Sequence, residues 1–223
     1  SDFDDQVTGR LAIAHRGAGA LTYKASFGNG YRAPSLYERF GPFAPAGGLE
    51  PEESRSADIG IEADFDKASY SATLFYTEID NLIAFSGGGY NQVPGTTTSQ
   101  GVELAADWSF GAADVFANYT YTDAGSDTSR LNRVPRHDVS FGVSGALSDS
   151  LTAAVDVRSV NDTVNFGTPL DDYTVANLTL TQVLSDNREA YLRIENIFDE
   201  DYETVPGYNT PGLSVFVGLR ASF

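Results

Sequence analysis

The chain has 223 residues, with 31 Asp and Glu against 14 Lys and Arg and a formal charge of −17. So acidic a balance excludes a nucleic-acid binder, which depends on neutralising phosphates with Lys and Arg. No apolar run approaches the roughly 20 residues of a spanning helix, which excludes a helical membrane protein. Cys and Met are both absent, so thiol nucleophiles and Cys-based zinc sites are excluded, while an oxidising compartment is permitted. No basic leader with an apolar core opens the chain, and a mature or excised piece is expected.

Period-2 alternation between turn signals predicts about eleven strands and no capped helix with 3.6-residue periodicity. In chain order they cover residues 7–16, 21–33, 54–65, 70–85, 99–110, 115–123, 137–147, 151–160, 173–184, 189–198 and 213–223. The last is the clearest: Val215, Val217, Leu219, Ala221 and Phe223 form one apolar row, with Ser214, Gly218, Arg220 and Ser222 between them. Ala57, Ile59, Ile61, Ala63 and Phe65 likewise alternate with Asp58, Gly60, Glu62 and Asp64. Val139, Phe141 and Val143 alternate with Asp138, Ser140, Gly142 and Ser144.

A soluble sandwich also alternates, so the connections decide. Those at 17–20, 66–69, 111–114, 148–150 and 185–188 are tight and rich in Gly, Asp, Asn and Ser. Those at 34–53, 86–98, 124–136, 161–172 and 199–212 are long, and the two kinds alternate without exception. This is the asymmetry of a transmembrane β-barrel, with short periplasmic turns and long extracellular loops. The predicted fold is therefore all-β, an antiparallel transmembrane barrel segment, with its last strand running toward the periplasm. Tyr31, Tyr70, Phe85, Phe110, Tyr121, Phe198 and Phe223, near strand ends, are expected in interfacial aromatic girdles. An odd strand count leaves open edges in hydrocarbon, where each orphaned backbone group costs several kcal/mol, so further strands must come from elsewhere.

Catalytic patterns are absent. His15 and His137 are the only histidines, and His137 and Asp138 point to opposite faces of one strand. No G-x-S-x-G elbow occurs, and Gly28–Ala33 lacks the spacing of a phosphate loop. Asp123, Asp127, Asp171, Asp172, Asp199, Glu200 and Asp201 lack calcium-loop spacing, so no metal site and no cofactor are expected. Ligand contact is expected from outer-loop aromatics, which offer area with few rotamers to freeze, and from Arg, with its planar multi-donor fork. Tyr37, Phe40, Phe43, Tyr90 and Tyr208 fit the first description, and Arg133 and Arg136 the second.

GNGYRAPSLYERFG (28–41), LEPEESRSADIGIE (49–62), YTEIDNLIAF (76–85), SQGVELAADW (99–108), LNRVPRHDVSFGV (131–143) and the stretch 194–223 with its Asn196-Ile197-Phe198-Asp199 run stand out as motifs. Together they resemble the C-terminal barrel half of TonB-dependent outer-membrane receptors. Within that family, YETVPGYNTPG (202–212) is most similar to cobalamin (vitamin B12) receptors. The resemblance implies a barrel of about 22 strands closed around an N-terminal plug, with about eleven of them in residues 1–223. The plug, the first barrel half and the segment that contacts TonB are expected to lie outside these residues, and this piece alone to transport nothing. The implied location is the outer membrane of a Gram-negative bacterium, with lipid, the plug and barrel half of the same receptor, and TonB through that plug as partners. The implied activity is binding and gated import of a scarce metal-bearing nutrient, cobalamin first and a ferric siderophore second, with no covalent chemistry. The resemblance also places Tyr208 and the Arg133 region in the substrate pocket. The competing classes are a passive pore or secretion barrel and a soluble β-sandwich binding module.

Overall fold

The computed structural model describes residues 3 and 5–222. In chain order the elements are β1 (Gly9–Arg16), β2 (Leu21–Arg32), α1 (Leu36–Phe40), β3 (Glu52–Phe65), β4 (Ala68–Asp80), β5 (Ile83–Ser86), β6 (Gly89–Gln92), β7 (Thr96–Ser109), β8 (Ala113–Gly125), β9 (His137–Ala146), β10 (Leu151–Asn161), β11 (Thr163–Asn165), β12 (Thr168–Leu170), β13 (Tyr173–Ser185), β14 (Arg188–Glu195), β15 (Glu203–Val205), β16 (Tyr208–Asn209) and β17 (Ser214–Ala221). Eleven strands hydrogen-bond as one sheet in the order β1-β2-β3-β4-β7-β8-β9-β10-β13-β14-β17. The pairs β5–β6, β11–β12 and β15–β16 are separate two-stranded hairpins, each inside a long connection.

The expected count of about eleven and the short–long alternation hold, with three corrections. The strand expected over 70–85 leaves the sheet at Asp80: Asn81 takes φ 58°, and Ile83 to Ser86 pair with a local partner instead. Phe85 is therefore not a strand-end aromatic of the sheet. The strand expected over 189–198 stops at Glu195, where Asn196 takes φ 51°, so Phe198 lies in the following connection, 69% exposed. A helix also forms where none was expected. Phe223, the expected aromatic end of β17, lies outside the described residues.

The chain divides into two compact units, one of Ser1–Ile61, Thr73–Val102 and Thr122–Leu131, the other of Glu62–Ala72, Glu103–Tyr121 and Asn132–Phe223. In the first, Leu11 faces Phe27 and Ile13 faces Ala25 across β1 and β2, all on one side of the sheet. The other side carries Arg10 and Ser26, where Arg10 Nη2 donates to Ser26 Oγ (2.9 Å) and Ser26 Oγ donates to Asp58 Oδ2 (2.5 Å).

In the second unit an apolar row crosses strand after strand: Val115 opposite Val143, Val143 opposite Val155, Val155 opposite Leu178, Leu178 opposite Ile194, Ile194 opposite Val215. One residue along, the opposite face presents Asp156 against Asn177, whose Nδ2 donates to Asp156 Oδ2 at 2.8 Å. Arg158 forks onto Asp138 on the same polar face (3.1 and 2.6 Å), and Arg220 pairs with Glu189. Phe116 and Tyr191 lie over Gly142 and Gly218, positions where a Cβ would collide with the ring.

Among the described residues nothing packs over the apolar row. Val217 is 77% exposed, and the buried apolar residues among those described are Leu49, Ile83, Ala124, Val160, Val164 and Ala176, all in the long connections or near the strand ends bordering them. A water-soluble sandwich would reverse this, since each fully buried Val, Leu or Ile is worth about 1.5–3 kcal/mol. The sheet is built to leave one face to hydrocarbon. At the short-turn end, Phe65, Tyr70 and Trp108 stand edge to face (centroids 6.2 and 5.9 Å), and Trp108 Nε1 donates to Tyr70 Oη at 2.8 Å. Amphipathic aromatics of this kind anchor at a membrane–water interface.

Candidate functional site

In the first unit, Pro34 follows β2 and lacks the N–H that would continue the ladder. Ser35 then caps α1: Glu38 N donates to Ser35 Oγ (3.2 Å) and Ser35 N donates to Glu38 Oε2 (2.7 Å), a reciprocal capping box. The helix lasts five residues because Gly41, pressed against the Tyr37 carbonyl where no Cβ fits, turns the chain away. Arg32, the last residue of β2, holds this loop from below. Its Nε and Nη2 donate to the two oxygens of Glu52 (2.5 and 2.6 Å), and its Nη1 donates to both oxygens of Glu38 (3.2 and 3.1 Å). Burial of the Glu38 carboxyl opposes its charge, but the Ser35 hydrogen bonds and the Arg32 guanidinium outweigh that and hold it below the usual carboxylate range.

Glu52 also reaches the next long loop, accepting from Ile83 N at 2.8 Å. Tyr90 N donates to Phe43 O (2.9 Å) and Gln92 Nε2 to Glu50 O (3.1 Å), so the β5–β6 hairpin is strapped to residues 43–52. These straps gather aromatics edge to face: Tyr37 on Tyr90 (6.2 Å), Tyr90 on Phe85 (5.3 Å) and Phe85 on Phe43 (5.5 Å). Three of the expected contact residues, Tyr37, Phe43 and Tyr90, thus meet. Phe85, expected in a girdle, joins them. Phe40 does not; it is 69% exposed and its ring lies under the Arg39 guanidinium (4.8 Å).

In the second unit the segment before β9 is pinned to the β11–β12 hairpin. Arg133 takes φ 61° and its N–H donates to Val164 O (2.8 Å), while Phe166 N donates to Asn132 Oδ1 (2.5 Å). Arg136 Nη1 sits 3.2 Å from Asp162 Oδ2 and its N–H donates to Asp162 O (3.2 Å), so this expected ligand contact holds two loops together. Arg133 lines a cleft of about 230 Å³ with Arg158, Leu170, Asp171, Tyr173 and Glu203 among its walls. Tyr173 stacks on Tyr202 (4.2 Å, 24°), fixing one wall. Tyr208, at the tip of the β15–β16 hairpin, is 73% exposed and not part of this cleft, to which its hairpin contributes Glu203 and Thr204. Two guanidinium groups, two carboxylates and an aromatic wall suit a ligand with amide or anionic groups and some apolar surface. Arg158 and Tyr173 were missed as candidates, although strand alternation already put them on the polar face.

His137 Nδ1 lies 2.9 Å from Tyr119 Oη, while Asp138 on the other face binds Arg158. Among the described residues no group of three or more His, Asp or Glu is arranged to hold a metal ion.

A family model described as "TonB dependent receptor-like, beta-barrel" matches residues 1–197. The vitamin B12 transporter BtuB of Vibrio cholerae serotype O1 is 23% identical over 233 aligned residues, which span 100% of this chain and 38% of that protein. Among solved structures, the copper transporter OprC superposes with a TM-score of 0.80 at 19% identity, over 97% of this chain and 39% of its own. The ferric enterobactin receptor of Pseudomonas aeruginosa gives 0.76 at 22% identity, over 97% and 40%. The chain thus spans about two-fifths of the length of the relatives it matches. Its alternating strands, uncovered apolar face and matched residues agree, and the chain belongs to the TonB-dependent receptor β-barrel family of Gram-negative outer-membrane proteins.

Proposed function

We propose that this chain is the C-terminal part of the barrel of a TonB-dependent receptor that binds cobalamin outside the cell and passes it inward without covalent change. The remaining strands and an N-terminal plug would come from the rest of the same receptor, because β1 and β17 end the strand order and open edges in hydrocarbon are costly. TonB would deliver energy through that plug. The observation that carries the substrate is the match to a vitamin B12 transporter across the whole chain. The aromatic cluster of Tyr37, Phe43, Phe85 and Tyr90 and the Arg133 cleft supply groups a large amide-rich, phosphate-bearing ligand can use. Phe40, Tyr208 and Arg136 stand as secondary contacts, the first two by exposure. Residues 1–223, with no Cys and no Met, supply no thiolate or thioether ligand of the kind soft metal ions seek.

Equilibrium binding of cyanocobalamin and of a ferric catecholate to the intact receptor in outer membranes tests the reading. Saturable cyanocobalamin binding supports it, and tight ferric-catecholate binding without cyanocobalamin binding replaces it with a siderophore receptor. Uptake that persists without TonB makes the barrel a passive pore.

A further inference from the structure

We infer that Arg32 and Glu52 are positioning residues that set the aromatic cluster for ligand, acting on two loops at once. The ligand is that of the cobalamin reading, on which this inference rests for its binding readout. Tyr37 and Phe43 belong to the connection after β2, Phe85 and Tyr90 to the connection after β4, and the two meet ring to ring. Ring contacts alone leave the approach loose, because edge-to-face pairs tolerate a range of distances and angles.

The polar straps fix it. Arg32 spends its fork on Glu52 and its third donor on Glu38, so one guanidinium fixes both the start of β3 and the cap of α1, the helix that carries Tyr37. Glu52 in turn accepts from Ile83 N, the first residue of the hairpin that carries Phe85 and Tyr90. Glu52 is thus the shared node: remove the fork and its carboxylate loses the restraint that lets it hold Ile83 in place. Lys substitutes only in part, since a single ammonium keeps the charge but lacks the planar fork that serves two carboxylates in this arrangement. Arg55, an exposed residue of β3, is the control.

Residues 1–223 contain no Cys, and any Cys elsewhere in the receptor is first replaced by Ser. In the intact receptor, nitroxides at Ala46→Cys and Pro94→Cys, both exposed, report the separation of the two connections without any ligand, and cyanocobalamin serves as the binding probe. The parent and Arg55→Gln should give one narrow distance peak. Arg32→Gln and Glu52→Gln should broaden it and weaken cyanocobalamin binding at least about tenfold, which is about 1.4 kcal/mol. Arg32→Lys should fall between, and all variants should keep the heat-modifiable mobility of a folded barrel. An unchanged distance peak in Arg32→Gln overturns the inference, as does a broadened peak with unchanged cyanocobalamin affinity. A parent that binds no cyanocobalamin refutes the cobalamin reading, and the distance peak still decides whether Arg32 clamps the loops.

Discussion

Asn196 ends β14 with almost its whole hydrogen-bonding capacity spent on one loop, and replacing it should release that loop alone. Only 4% exposed, it donates through Nδ2 to Glu200 O (2.8 Å) and Pro211 O (3.3 Å) and accepts at Oδ1 from Glu200 N (2.9 Å). Its own N–H donates to Asn177 Oδ1 (3.1 Å), tying the loop to β13. A side-chain bond of this kind is worth about 0.5–1.5 kcal/mol net, so Asn196→Gly should cost the loop about 2–3 kcal/mol through the three amide bonds. Asn196→Ala loses the same bonds but keeps a Cβ at φ 51°, a left-handed conformation that only Gly adopts freely, and should cost about 1–2 kcal/mol more than Asn196→Gly. Asn196→Asp keeps the acceptor for Glu200 N but turns a carboxylate oxygen toward two carbonyls, and should be the worst of the three.

The assay is amide hydrogen exchange across residues 197–213 in the reconstituted receptor, with β9 and β10 as internal reference. At about 1.4 kcal/mol per tenfold, Asn196→Gly should exchange roughly 30- to 150-fold faster in that segment and Asn196→Ala faster again. Equal exchange in Gly and Ala variants would show that backbone strain contributes nothing. Exchange in Asn196→Ala indistinguishable from the parent would refute the claim that this amide holds the loop.

The uncovered row makes a second prediction: Val155→Arg, in its middle, should destabilise the reconstituted barrel toward urea by about 2–4 kcal/mol. Ala154→Arg, one residue along on the polar face, should stay within about 0.5 kcal/mol. Trp108 is the only tryptophan of residues 1–223, and the part of the reconstituted receptor's emission that Trp108→Phe removes should be quenched more strongly by lipids brominated near the headgroup than by lipids brominated at the chain ends. The Glu38 carboxyl lies below its ordinary value of 4.5 when folded, so its contribution is complete above that pH and fades as pH falls through the lower folded value. Protease nicking of residues 41–51 should therefore accelerate on acidification below about pH 4.5, and Glu38→Gln should nick readily at neutral pH as well.

The eleven sheet strands were legible because alternation and turn chemistry coincide at every tight connection. Where they part, the reading failed. Ile83 and Phe85 alternate with Ala84 and Ser86 as sheet residues do, and nothing in a period of two reveals that Asn81 has already turned the chain out of the sheet. The helix was readable only through Ser35 and Glu38, since five residues are too few to show 3.6-residue periodicity. Site residues were legible by type and not by company. Outer-loop aromatics include Tyr37, Phe43 and Tyr90, which meet, and Phe40, which turns to Arg39, and the difference lies in backbone straps such as Tyr90 N to Phe43 O. Arg133 and Arg136 look alike in the chain, yet Asp162 engages the second.

The straps explain how such a barrel carries large loops without unsettling its strands. A sheet whose apolar face meets lipid cannot use that face to anchor loops, so each long connection brings its own small interior and polar clasp. Leu49 and Ile83 are buried beside the Glu52 node, Val164 beside the Arg133 and Asp162 contacts, and Asn196 closes the last connection. Each clasp is rooted on a residue at or next to a strand end: Arg32 on β2, Asn196 after β14, Arg136 before β9. Asp162, Glu200 and Pro211, which these clasps hold, lie in the connections, beyond the cross-strand pairs of β9–β10 and β14–β17. Loop identity can therefore change while the lipid-facing rows stay fixed. That accounts for an all-β frame shared with proteins named for copper, ferric enterobactin and vitamin B12 at identities near 20%.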